Sequence, residues 1–139
     1  MARIRPGRRG HRLSRALRGL VRGTRGRSAS PFLVTATQVI NKKPGILIYG
    51  AIYDQQPFLG GTLCIGAPIK RTNGQVSGGS SLGKDCTGSF AFDFNDYLDS
   101  GDDPALVAGT WVWSQYWFRD PAASSGTGLS NALRFQIAP

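Results

Sequence analysis

Between Leu13 and Val21 the apolar residues Leu13, Ala16, Leu17, Leu20 and Val21 recur at helical spacing, with Arg12, Arg15, Arg18 and Arg22 on the opposite face. This is the pattern of a short basic amphipathic helix. Gly19 weakens it by about 1 kcal/mol relative to Ala, and so short a helix is marginal without a surface to lie on. From Pro31 onward the pattern changes to that of strands. Residues 32–40 are rich in β-branched and aromatic side chains, 45–53 read G-I-L-I-Y-G-A-I-Y, and 60–69 form a third extended run broken by Pro68. Residues 70–85 are polar and Gly/Ser-rich, with Asn73-Gly74 as a turn signal, and predict a loop. Phe90, Phe92 and Phe94 alternate with Ala91 and Asp93 over 89–94. The acidic stretch 95–104 allows one short helical turn, and 109–119 and 131–137 complete the strands. Short strands with little helix predict an all-β chain, a small antiparallel β-sandwich of Greek-key-like connectivity over 31–139. Residues 1–30 form a separate arm, disordered or briefly helical.

The strand at 109–119 carries the most structural information. Period-two geometry places Trp111, Trp113, Gln115, Trp117 and Arg119 on one face, and Val112, Ser114, Tyr116 and Phe118 on the other. Two largely apolar faces suit a central strand. A small domain needs its aromatics inside, so the rings are expected in the core. The sharper alternative is a platform of Trp111, Trp113 and Trp117 on which a sugar ring or a base stacks.

Charge divides the chain the same way. Of 17 Lys and Arg, ten are Arg within residues 1–30, where there is no acid, and the other seven face all eight Asp in 31–139. The result is a cationic arm on a nearly neutral body. Such an arm can neutralise phosphates without reading sequence, which makes Arg8, Arg9, Arg12, Arg15, Arg18 and Arg22 candidates for nucleic-acid contact in a capsid-like layout. The same arm could also rest on an anionic membrane surface. No apolar stretch approaches the roughly 20 residues of a membrane-spanning helix. Arg interrupts every short apolar group through Arg27, so no signal peptide is visible.

Catalytic chemistry finds little support. The single histidine, His11, lies in the arm, and Glu is absent, which argues against a His-based triad or a multi-His metal site. Asp pairs acting on glycosides would need a singled-out pair, and none stands out. No phosphate-cradling glycine motif occurs, and no cofactor is implied. Within D-F-N-D-Y-L-D-S-G-D-D, the oxygen donors Asp93, Asn95, Asp96 and Asp99 are candidate calcium ligands, but the EF-hand pattern fails at Tyr97. A solvated acidic turn, capped by Asn95 or Asp96, is the simpler reading. Cys64 and Cys86 lack redox or zinc spacing and are either two separate thiols or one disulfide.

The body nevertheless resembles a secreted β-rich domain at the C-termini of large extracellular proteins of environmental bacteria. The pieces that carry the resemblance are G-I-L-I-Y-G, Q-x-P-F-L-G-G-T-L-C-I-G-A-P-I-K-R, D-C-T-G-S-F-A-F-D-F-N-D-Y, S-Q-Y-W-F-R-D-P and G-L-S-N-A-L-R-F-Q-I-A-P, spanning about 32–139. It implies export to the cell surface or medium, a Cys64–Cys86 disulfide, and a turn at Arg119-Asp120-Pro121 held by Arg119. It brings no activity with it. The arm does not match, so residues 1–30 are expected to be foreign to the domain, which would leave a sheet edge without its first strand. The expected function is a non-enzymatic extracellular module for structure, attachment or ligand binding. Its partners would be a surface polymer or other modules of a longer secreted protein. The alternative is a nucleic-acid-binding or capsid-like protein working through the arm.

Overall fold

The computed structural model describes residues 31–139 throughout and, of the N-terminal arm, the backbone of two short strands, Arg3–Pro6 and Val21–Arg22. We label these β1 and β2. The remaining elements are β3 (Leu33–Val39), β4 (Pro44–Gly50), β5 (Tyr53–Phe58), β6 (Gly61–Ile65), β7 (Lys70–Val76), β8 (Gly88–Asp93), α1 (Phe94–Ser100), β9 (Trp111–Arg119), β10 (Thr127–Leu129) and β11 (Leu133–Ala138). The expected helix at 13–21 falls mainly outside the described residues, as do Arg8, Arg9, Arg12, Arg15 and Arg18.

Two sheets pack face to face, as the all-β sandwich reading requires. The smaller has the order β1-β3-β8, and the larger β2-β11-β9-β4-β7 with β10 also paired to β9. All pairings are antiparallel except β2 with β11. β3 is paired on both sides, with β1 of the arm and with β8. A third, two-stranded layer, the β5–β6 hairpin, lies on the outer face of the larger sheet.

The main core lies between the sheets. Phe32, just before β3, and Val34, Ala36 and Val39 within it line one side, and β8 and α1 contribute Phe90 and Phe94. Leu47, Tyr49, Val112, Tyr116, Phe118, Phe135 and Ile137 face them from the larger sheet. The jump from Ala36 to Val39 breaks strict alternation because a bulge intervenes, with Gln38 at φ 57°. The extra residue resets the phase so that Val39 still points inward. Tyr116 stitches the layers: its ring stacks on Phe90 at 5.2 Å, and its hydroxyl donates to the Val34 carbonyl at 2.6 Å. Gly45 is required where β4 passes Phe90, since a Cβ there would lie 2.3 Å from the ring.

Residues 70–76, expected as loop, form an edge strand. Its polar sequence gives no hydrophobic signal because only one position is buried: Thr72, whose hydroxyl donates to the Leu47 carbonyl at 3.0 Å. Asn73-Gly74 marks a shift in register against β4 instead of a hairpin turn, with three residues of β7 advancing against two of β4 between Ile48 and Ile46. The true hairpin turn is Leu59-Gly60, where both residues have positive φ (46° and 81°), the signature of a type I′ turn.

The chain changes sheets twice at one corner, between β3 and β4 and between β7 and β8. Buried Asn41 organises the loop there, donating from Nδ2 to the Ser80 and Gly83 carbonyls and accepting from the Asp85 N–H. Ser77 bridges the same corner by donating to the Ile40 carbonyl and accepting from the Lys43 N–H. At the opposite end α1 closes the sandwich. Asp93 caps it through the N–H groups of Asn95 and Asp96, and Gly101 ends it in the left-handed conformation at φ 73°.

Candidate functional site

The outer face of the larger sheet gathers the side chains with binding chemistry. Period-two geometry holds along β9: Val112, Ser114, Tyr116 and Phe118 are buried toward the main core, while Trp111, Trp113 and Trp117 are half-buried on the opposite face. The tryptophans are therefore neither core nor open platform. The β5–β6 hairpin covers the middle of their face, forming a small second core of Ile48, Leu63 and Ile65 with Ile46, Phe58, Trp113, Trp117 and Leu129 packed around it.

One buried polar residue docks the hairpin. Gln115, 1% exposed, accepts from the Cys64 N–H at 2.8 Å and donates to the carbonyls of Thr62 (3.0 Å) and Ser130 (2.8 Å). Its amide thus serves the free edge of β6 as a neighbouring strand would. Phe58 meets Trp117 edge-on at 6.0 Å, and Tyr53 leans on Trp113 at 6.3 Å.

The hairpin is narrower than the face and leaves a cleft at each end. The first, about 490 Å³, is lined by Tyr53, Cys64, Trp113, Ala132 and Arg134. Arg134 folds back over the Trp111 ring, 4.6 Å from its centre. The second, about 320 Å³, lies at the Arg119 end of the sheet, lined by Pro44, Gly45 and Ile46 of β4, Trp117, Phe118 and Arg119 of β9, and Thr127 of β10. Arg71 lies over the Trp117 ring at 5.6 Å. Arg71, Arg119 and Arg134 therefore flank the aromatic face, whereas Asp93, Asp96, Asp99, Asp102 and Asp103 gather on and around α1. Guanidinium groups beside tryptophan suit planar or anionic ligands through stacking and paired hydrogen bonds.

The acidic segment does something else. Asp93, the first candidate calcium ligand, spends one oxygen on the N–H groups of Phe32, Asn95 and Asp96. Asn95 is buried, and Asp96 and Asp99 sit on the exposed side of α1. Among the described residues no group of three or more His, Cys, Asp or Glu is arranged to hold a metal ion. The helix keeps Asp93 turned toward backbone amides, so the four residues do not converge.

Asp103 anchors a separate network. Lys70 pairs with it at 2.7 Å, and the Tyr49 hydroxyl donates to it at 2.7 Å while also meeting the Tyr97 hydroxyl at 2.9 Å. Burial pushes the Asp103 carboxyl up, but the hydrogen bonds from Lys70, Tyr49 and the Ala105 N–H outweigh it and hold it below its ordinary value. Burial, then the bonds to Tyr97 and Asp103, drives the Tyr49 phenol far above its own. With both groups locked in fixed protonation states, this network is a clamp between β4, β7 and the segment after α1.

The implied disulfide is corrected: Cys64 and Cys86 are both free and half-buried. Cys64 rides on the hairpin above Gln115, whose partner on β4 is Ile48. Cys86 follows Asp85, tied to Asn41 just before β4 begins at Pro44. The turn after β9 is also held differently from expectation. Asp120, and not Arg119, pins it by accepting from the Ala122 N–H at 3.1 Å, while the Asp120 N–H bonds the Gly126 carbonyl at 3.0 Å.

Of the arm residues proposed for phosphate contact, Arg22 is within β2, and the other five lie outside the described residues. Tyr53, Thr127 and Arg134 were not anticipated as site residues. Only Gln115, a polar residue within an aromatic stripe, left a readable signal. Comparison with protein-family models, curated proteins and solved structures finds no match to the chain.

Proposed function

We propose that the protein is a non-enzymatic β-sandwich binding module, acting at the cell surface or in the medium, whose ligand lies along the outer face of β9. The observation that carries this reading is the segregation on that face: Trp111, Trp113 and Trp117 keep part of their surface open, with Arg71, Arg119 and Arg134 beside them and a cleft at each end of the hairpin. An extended polymer such as a polysaccharide fits a face that is long, aromatic and interrupted. The extracellular setting follows from the resemblance of the body to secreted bacterial domains.

The test compares binding of soluble polysaccharides and duplex DNA by the full chain and two variants. One carries Arg→Gln at Arg8, Arg9, Arg12, Arg15 and Arg18, and the other carries Tyr53→Ala and Trp113→Ala. Polysaccharide binding that survives the first and is lost in the second supports the module. DNA binding alone, abolished by the first variant and steeply weakened by salt, would replace it with an electrostatic binder.

A further inference from the structure

The cleft at the Arg119 end contains a feature that packing alone does not explain. Two of the residues that line it carry a buried polar atom, Trp117 Nε1 and Thr127 Oγ1, with no hydrogen-bond partner among the described residues. A buried polar group without a partner is unfavourable and uncommon in a folded domain. Here two of them share one cleft. The pairing of β9 with β10 explains the coincidence: Thr127 is opposite Arg119 and Leu129 is opposite Trp117, so Thr127, Arg119 and Trp117 share one face two residues apart along the strands.

The donor types restrict what could sit there. The indole N–H only donates, so its partner must accept. Arg119 is exposed at the rim, and no carboxylate pairs with it among the described residues. A guanidinium there presents planar donors matched to a carboxylate. The Thr127 hydroxyl can donate to a second oxygen or accept from a ligand hydroxyl. Pro44 and Ile46 supply apolar surface beside these groups. Arg71 covers the Trp117 ring and Phe58 packs against it in a T-shaped pair, so the ring faces are taken and a ligand does not stack on them.

We infer that this cleft is a binding site for a small organic carboxylate, its oxygens held by Arg119 and the Trp117 indole N–H and its body resting against Pro44 and Ile46. The assignment rests on the outer face being a binding surface and names the ligand chemistry at one of its ends. An acidic sugar unit and the carboxylate of a short acyl chain share this chemistry.

The experiment follows the indole N–H resonances of the ¹⁵N-labelled full chain, with Trp117→Phe identifying the Trp117 signal. D-glucuronate, hexanoate and D-glucose are titrated separately. The expected result is a saturable shift of the Trp117 signal with a carboxylate and none with D-glucose, weakened at least tenfold by Arg119→Gln and several-fold by Thr127→Val. A response to D-glucuronate alone identifies a sugar acid, whereas an equal response to hexanoate identifies an acyl carboxylate. The inference is overturned if neither carboxylate moves the signal, if D-glucose moves it equally, or if Arg119→Gln leaves the affinity intact. Polymer binding that depends on Tyr53 and Trp113 while the Trp117 signal ignores both carboxylates would remove this site and leave the binding face standing.

Discussion

Replacing Gln115 by Leu keeps most of the side-chain volume but removes the amide that docks the β5–β6 hairpin. Three backbone groups then lose a partner: the Cys64 N–H and the carbonyls of Thr62 and Ser130. Thr62 is exposed, so its carbonyl turns to water at little cost. Ser130 is 3% exposed and Cys64 half-buried, so the other two groups remain shielded. At about 1 kcal/mol or somewhat more for each shielded group, the loss is about 2–3 kcal/mol. Much of it falls on the docking of the hairpin, because the sandwich core lies on the opposite face of β9. Urea unfolding measures the global part, and native-state amide exchange reads the local part. Exchange at the Cys64 N–H should accelerate by at least tenfold, since each 1.4 kcal/mol changes an opening equilibrium tenfold. Core amides of β9 should slow or hasten only with global stability. A variant within about 0.5 kcal/mol of the parent, with Cys64 protection unchanged, would refute the docking role of Gln115.

Asp103 makes stability depend on acid. Its folded-state carboxyl titrates below the ordinary 3.8, so its contribution is fully present above that value and disappears as pH falls through the lower folded value. Asp103→Asn should therefore flatten the acid limb of a stability–pH profile, and an unchanged limb would count against the clamp. Tyr49→Phe removes one donor to that carboxylate and should cost about 1–2 kcal/mol by urea titration. Gly45→Ala drives a methyl toward the Phe90 ring, with Phe118 Cβ only 2.9 Å from the same position. It should destabilise by about 2–3 kcal/mol, and a melting point equal to the parent's would show that the ring moves aside. Finally, thiol titration of the unfolded, unreduced protein should find both cysteines reactive, with the melting temperature indifferent to reductant. A mass deficit of two hydrogens joining Cys64 to Cys86 would overturn the assignment of two free thiols.

Local pattern reaches a long way in this chain. Alternation along 111–119 alone assigns the two faces of β9, because side chains of an extended strand can only point one way or the other. The Phe90, Phe92, Phe94 alternation likewise marks the inward face of β8, and the acidic stretch after it holds the short helix that was anticipated. What escaped detection has no hydrophobic period to detect. β5 is exposed along nearly its whole length, and β7 buries only Thr72, so both exist through pairing with a neighbour and not through their own side chains.

The sequence by itself determined the all-β class, the division of charge between arm and body, and the sidedness of the tryptophan strand. Each of these depends only on residue type and spacing. Tertiary structure decided what the tryptophan face became. A hairpin from elsewhere in the chain lands on that face, held by Gln115, and leaves Trp117 and Thr127 lining a cleft beside Arg119. It also decided that Asp93 would cap a helix instead of joining a metal site, and that Cys64 and Cys86 would stay free. These outcomes depend on which strands meet in space and in what register. Spacing along the chain carries no such information, because partners such as Gln115 and Cys64, or Lys70 and Asp103, lie dozens of residues apart.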